Sequence, residues 1–241
     1  MRLKTLSGKW LEHQISFALD PKTRVWNALA GIAFSVKPGV YTLSLTGATA
    51  KGDVTFERRV KVRSGKYRST VITVESKYTA PSPEQLETIA RDKQIKQETF
   101  SKISPEREWA GSFEPPLDAP FSDIFGTQRT FNGEVRSVHE GLDFAARTGV
   151  PVKAINAGTV LLARPLYFEG NCVVLDHGQG LLTLYLHLSE LKVKEGDSVE
   201  RGQEVGLVGG TGRASGPHLH LAVRWQGVYV DPATLLRMKL P

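Results

Sequence analysis

The stretch Gly216–Trp225, GPHLHLAVRW, decides how this chain is read. As a helix it would send His218 and His220, two positions apart, in diverging directions. As a strand it puts both on one face with Cα atoms about 6.5–7 Å apart. A glycine-rich loop precedes the pair and the apolar LAV follows it, so a strand is the better reading and both histidines address one site. A His-x-His triplet alone is a weak motif that suits a solvated strand face equally well. The decision rests on which other ligand-type residues the fold brings near.

The neighbourhood is β-rich. PVKAINAGTVLLARP, NCVVLDHG, LLTLYLHL, DSVERGQEVGLVG and VYVDP alternate with turn residues at intervals of about ten, which predicts an antiparallel sheet domain over 113–241. The first 80 residues also read as short strands. GIAFSVKPGVYTLSLTG alternates around a Pro-Gly turn, and DVTFERRVKVRSGKYRSTVITVE reads as two strands joined at Ser64-Gly65, so a small Ig-like β-sandwich is expected over 1–80. Between them, 81–112 reads as a helical connector: SPEQLETIARDKQIKQETFSKI carries a sparse apolar stripe of Leu86, Ile89, Ile95 and Phe100, with Ser82 as cap and Pro83 at the first helical position. EPPLDAP, 114–120, is an extended entry into the second domain, because each proline biases its predecessor toward extended geometry. The fold class is therefore mostly β.

A chain of 241 residues with 40% hydrophobic content can bury the cores of two modest domains. No 7–15-residue apolar stretch follows the basic start and no run approaches the roughly 20 residues of a membrane span, so neither an export signal nor a transmembrane segment is expected in this sequence. Cys172 is the single cysteine, which excludes an intrachain disulfide and zinc sites built on Cys-x-x-Cys. The net charge of +6 is uneven: residues 1–110 hold 19 Lys+Arg against 11 Asp+Glu, and 111–241 hold 12 against 14. Arg58, Arg59, Lys61, Arg63, Lys66 and Arg68 crowd one expected hairpin. Such a run discourages edge-to-edge pairing; its alternative use is an electrostatic footing on an anionic polymer. No recognition motif accompanies it, and nucleic acid is not expected as a partner.

Of the six histidines, five lie in the second domain: His139, His177, His187, His218 and His220. His139 begins HEGLD, which places Asp143 four residues on. A helix would align the two, but Gly141 between them costs a helix about 1 kcal/mol and the context is strand-like, so His139 is expected in a loop and Asp143 at a strand start. One histidine, one carboxylate and a further histidine from the His-x-His strand make a three-ligand zinc set with an open fourth position, the arrangement of a catalytic metal.

HEGLD, the lone histidine of LYLHLS, and GTGRASGPHLH together resemble the three sequence blocks of lysostaphin-type (LytM-like) zinc metallopeptidases, which cut peptide bonds in bacterial peptidoglycan. FGTQRTFNG ahead of the first block and the run from Asp176 to Arg213 fit the same family, so the resemblance covers roughly 113–241. It implies that His139, Asp143 and His220 bind Zn2+ while His187 and His218 stand free beside it, as proton-handling and oxyanion-stabilising groups. It implies peptidoglycan as the partner, an exported protein of the periplasm or cell wall, and an N-terminal domain that places or gates the peptidase; the basic hairpin would then meet anionic envelope polymers. Asn132, Tyr185 and Arg213 are candidate substrate contacts, Tyr185 because it precedes His187 by two on the expected strand. His177 is expected in a structural role or behind the ligands, and His13 at the surface or half-buried.

Two other functions compete. LytM-like domains that have lost ligands serve as regulators of other wall hydrolases, but all five positions are present here. VKEGDSVERGQEVGLVG resembles the half-barrel of biotinyl and lipoyl carriers, yet no modifiable lysine in a tight hairpin accompanies it. Of the family's crosslinks, D-alanyl-diaminopimelate is favoured over pentaglycine, since no wall-targeting SH3-like module follows the peptidase domain.

Overall fold

The computed structural model describes residues 3–102 and 104–241. The chain forms two compact units, 1–66 and 67–241. The first is built of β1 (Thr5–Trp10), β2 (His13–Ser16), β3 (Ala18–Leu19), β4 (Trp26–Asn27), β5 (Gly39–Thr49) and β6 (Gly52–Val62). Four of these make an antiparallel sheet in the order β2-β1-β5-β6, and β3 and β4 pair separately. Trp10 and Ile15 are its buried apolar anchors, and the Trp10 indole donates to the Gly31 carbonyl at 2.9 Å. β6 is an edge strand, and Arg58, Arg59, Lys61, Arg63 and Lys66 on and after it are exposed, which suits a charged strand edge.

The second unit contains β7 (Ser69–Ile72), α1 (Pro83–Ser101), β8 (Phe121–Asp123), β9 (Gln128–Phe131), β10 (Val135–Val138), β11 (Leu142–Phe144) and β12 (Pro151–Lys153). It continues with β13 (Gly158–Leu166), β14 (Gly170–Asp176), β15 (Leu181–Leu188), β16 (Glu190–Leu191), β17 (Ser198–Val199), β18 (Glu204–Leu207), β19 (Leu219–Trp225), β20 (Val228–Val230) and α2 (Pro232–Arg237). Its main sheet runs β17-β13-β14-β15-β19-β11-β8, with β20 on β19, and a smaller sheet runs β12-β18-β16.

The boundary differs from the expected one. The two strands expected to form a hairpin at Ser64-Gly65 separate: β6 pairs with β5, whereas β7 pairs in parallel with β9. β7 therefore belongs to the second unit, and Arg68 leaves the basic hairpin to bond Asp123. The segment 81–112 is likewise no free connector. Ser82 and Gln85 form a reciprocal capping box at the start of α1. Ile95 and Phe100 then pack on the cluster of Leu162, Leu166, Val174, Leu182, Leu184 and Leu186, and Asp92 accepts from the Tyr167 backbone at 2.6 Å.

β15 is buried along its whole length because both its faces are covered. Leu182, Leu184 and Leu186 face the cluster under α1. Thr183 and Tyr185 face the other way, toward His177 and the backbone of Ile155. This sandwiched strand, paired with β19 along Leu181–Leu186, is the rigid floor from which the site rises.

Candidate active site

His139 directly follows β10 and begins the short loop to β11, and Asp143 and His220 face one another across the β11–β19 ladder. The loop-then-strand reading of HEGLD is what forms. Gly141 has a specific purpose: a Cβ there would lie 2.4 Å from the His220 ring, so a side chain and that imidazole cannot coexist. The expected strand geometry of His-x-His also appears. His218 bridges to Gly209 at the mouth of β19, and both His218 Nε2 and His220 Nδ1 point at Asp143 Oδ1, at 3.9 and 2.8 Å.

His139, Asp143 and His220 are all buried and present one ligand atom each within 4.8 Å of one another. His139 Nδ1 donates to the Ile124 carbonyl at 2.8 Å, which leaves Nε2 as a lone pair facing the site. That nitrogen lies 3.0 Å from Asp143 Oδ1 and 3.0 Å from His220 Nδ1. Two acceptors so close repel unless a cation lies between them, and the spacing approaches the roughly 3.3 Å edge of a tetrahedron with zinc–ligand bonds of about 2.0–2.1 Å. Two imidazoles and one carboxylate, with no fourth His, Cys, Asp or Glu completing the group among the described residues, fit zinc. Burial works to raise the Asp143 pKa, but hydrogen bonds and charge from His139 and His220 overturn it and hold the carboxyl well below the usual range. Burial draws His220 down to about 4, so it is a neutral ligand at pH 7.

Asp143 is steered from behind. Arg129 Nη2 donates to its Oδ2, and the same guanidinium grips Asp123 at 2.6 and 2.8 Å. Asp123 in turn takes Arg68 at 2.6 Å and the Thr127 hydroxyl at 2.7 Å. This Asp143–Arg129–Asp123–Arg68 chain was not foreseen in the sequence, although Arg129 lies in FGTQRTFNG; nothing in its spacing marks it as different from a surface arginine.

His187 and His218 stand beside the ligand set, with ring centroids 4.9 Å apart and His187 6.0 Å from His220. Each bonds a backbone carbonyl through Nδ1, His187 to Thr211 and His218 to Gly216, both at 2.8 Å, so each turns Nε2 to the cleft. Burial pulls His187 down to about 3, and the neighbouring histidines add to the effect. It is neutral at pH 7 and able to accept a proton. His187 reaches the cleft through a bulge: its φ is +64° and the β14–β15 register shifts opposite it.

That bulge explains why Tyr185 does not join it. The period-2 alternation is broken, so Tyr185 stays on the opposite face, fully buried, with its hydroxyl accepting from Ile155 N at 2.9 Å. Asn132 is also not a cleft residue. It sits in the β9–β10 turn with φ +50°, and its amide is spent on Val74 and Thr79. His177 is structural, bonded to the Ala157 carbonyl at 2.5 Å and to Thr183 Oγ1 at 2.8 Å. Arg213 alone of the three substrate candidates lines the cleft. A cavity of about 510 Å³ opens over Asp143, His187 and His218, and a second of about 160 Å³ lies over His139 and His220; Arg129, Phe131, His187 and Arg213 border both.

Comparisons with known proteins converge on one family. The profile of peptidase family M23 matches residues 137–232. Two relatives from Vibrio cholerae are peptidoglycan DD-endopeptidases. ShyA is 43% identical over 103 residues, 43% of this chain and 23% of its own. ShyB is 45% identical over 120 residues, 48% of this chain and 28% of its own. The matched part thus spans about a quarter of the length of these relatives. A peptidase M23 from Pseudomonas aeruginosa, known from its crystal structure, is 32% identical with a TM-score of 0.73, covering 97% of this chain and 88% of that one.

Proposed function

The chain belongs to peptidase family M23, and on that premise we propose that it is a zinc metalloendopeptidase that hydrolyses peptide crosslinks of bacterial peptidoglycan. The observation that carries this reading is the convergence of His139 Nε2, Asp143 Oδ1 and His220 Nδ1 beneath a cleft walled by His187 and His218. The peptidoglycan DD-endopeptidases among its relatives support the substrate class.

His139, Asp143 and His220 would hold the ion. Zinc, when bound there, supplies Lewis acidity to the scissile carbonyl and acidifies the attacking water. The histidines handle the rest. His187 and His218 each turn Nε2 to the cleft, so one can take the proton of the attacking water and return it to the leaving amine. The other, with a proton taken up from solvent at Nε2, would donate to the oxyanion as it forms. Their Nδ1 bonds to Thr211 and Gly216 fix the tautomer, so neither ring must reorganise before it accepts the proton. Burial of the ligands excludes water from all but the cleft side.

This activity belongs to an exported protein of the periplasm or cell wall, with residues 1–66 as an accessory unit. A regulator without catalysis needs none of the five side chains; their presence together around one cleft supports the catalytic reading. The test is digestion of purified sacculi of the diaminopimelate and pentaglycine types by zinc-loaded protein, with mass spectrometry of the products. New amine and carboxylate termini at a crosslink are the expected result; intact crosslinks in both would overturn it.

A further inference from the structure

Three arginines border the larger cavity, and they differ in what they do. Arg68 is ion-paired with Asp123, and Arg129 with both Asp123 and Asp143. Arg213 carries no ion pair and no side-chain hydrogen bond among the described residues. Its guanidinium lies between two aromatic rings, 4.4 Å from the centroid of Phe131 and 4.7 Å from that of Phe168. Its backbone N–H is anchored on the Phe168 carbonyl at 2.8 Å, so the whole residue is held in place.

Such a sandwich satisfies the flat faces of the guanidinium and leaves its rim of N–H donors without acceptors. The carboxylate whose charge reaches it, Glu169, is already paired with Lys96 at 2.5 Å. Arg129 adds like charge, and burial works against the cation. The cleft wall therefore holds a half-buried positive fork with no ion pair of its own, bordering the same space as His187 and His218. A planar fork matches a carboxylate through two parallel hydrogen bonds.

We infer that Arg213 binds a free carboxylate of the substrate next to the scissile amide, so that the enzyme selects crosslinks whose leaving amine belongs to a residue with a free carboxylate. This rests on the peptidase reading above and sharpens it. A diaminopimelyl crosslink carries that group; a bridge of glycines carries none.

The test uses zinc-loaded full chain and two crosslinked muropeptides, identical except that the carboxylate beside the scissile nitrogen is free in one and amidated in the other. Wild type is expected to favour the free acid roughly ten- to hundredfold in kcat/KM, the scale of a hydrogen-bonded charge pair. In Arg213→Gln the preference should shrink to within about twofold, and Arg213→Lys should keep part of it. Zinc content and Tm confirm that the variants are folded. Equal rates of wild type on both peptides, or a preference that survives in Arg213→Gln, would overturn the inference. Calorimetric titration of the same peptides runs alongside. If wild type cuts neither peptide yet binds the free acid tighter by the same factor, the hydrolytic reading fails and the role of Arg213 stands; equal Kd values overturn it.

Discussion

Arg129 holds the Oδ2 of Asp143 and so assigns that carboxylate's other oxygen, Oδ1, to His139 and His220. The carboxylate would otherwise be free to rotate or to bind a metal through both oxygens. One guanidinium spanning Asp143 and Asp123 makes Oδ1 the only oxygen left for the site.

Arg129→Met should therefore lower zinc affinity about 10–100-fold while leaving the three ligands in the chain, the usual cost of removing a partner behind a ligand. Arg129→Lys should recover only part, because an ammonium cannot bridge two carboxylates as a planar fork does. Competition against a chelator of known affinity measures both.

Gly141→Ala places a methyl where the His220 ring now lies, 2.4 Å away by its ideal position. The ring or the β11 strand must shift, and the three-atom set opens. Zinc content well below one per chain, with an unchanged far-UV spectrum, is the expected outcome; full occupancy would show that the contact yields easily.

His177 is fully buried and neutral, with its pKa drawn by burial from an ordinary 6.5 to about 4. The unfolded chain then binds a proton that the folded chain refuses between those values. Stability from this residue is complete above about pH 6.5 and is lost as pH falls through about 4, by about 3 kcal/mol in all. In denaturant titrations from pH 7.5 to 4, His177→Gln should start less stable and lose less of its stability on acidification than wild type.

Cys172 is buried on β14, and burial pushes its thiol well above the ordinary range. A thiol reagent at pH 8 should leave the native protein unlabelled for hours and label it stoichiometrically in denaturant. Rapid native labelling would show that β14 opens.

Much of this was legible in the sequence. His139 and Asp143, four residues apart, and His218 and His220, two apart, stood out by local spacing on elements whose period is known; His187 stood out only through the family resemblance. Tyr185 was misplaced by the same logic. A strand period carries it to the face of His187 only if the strand is regular, and the bulge at His187 is set by its pairing with β14, far away in sequence. Asn132 was a candidate because its loop is expected near the groove; its partners Val74 and Thr79 lie more than fifty residues earlier. The same long range hid Arg129 and the β7–β9 pairing. What was lost depends on which distant strand comes to lie alongside, and no local pattern records that.

The central claim is that His187 and His218 move protons at a metal they do not hold. It is tested most directly by the rate of new-amine release from one crosslinked muropeptide, measured for wild type, His187→Ala and His218→Ala at matched zinc content. One zinc per chain in all three, with turnover reduced roughly 10²–10⁴-fold in each variant, is the predicted result. Near-normal release by both variants at full zinc occupancy, or no release by wild type, would contradict it.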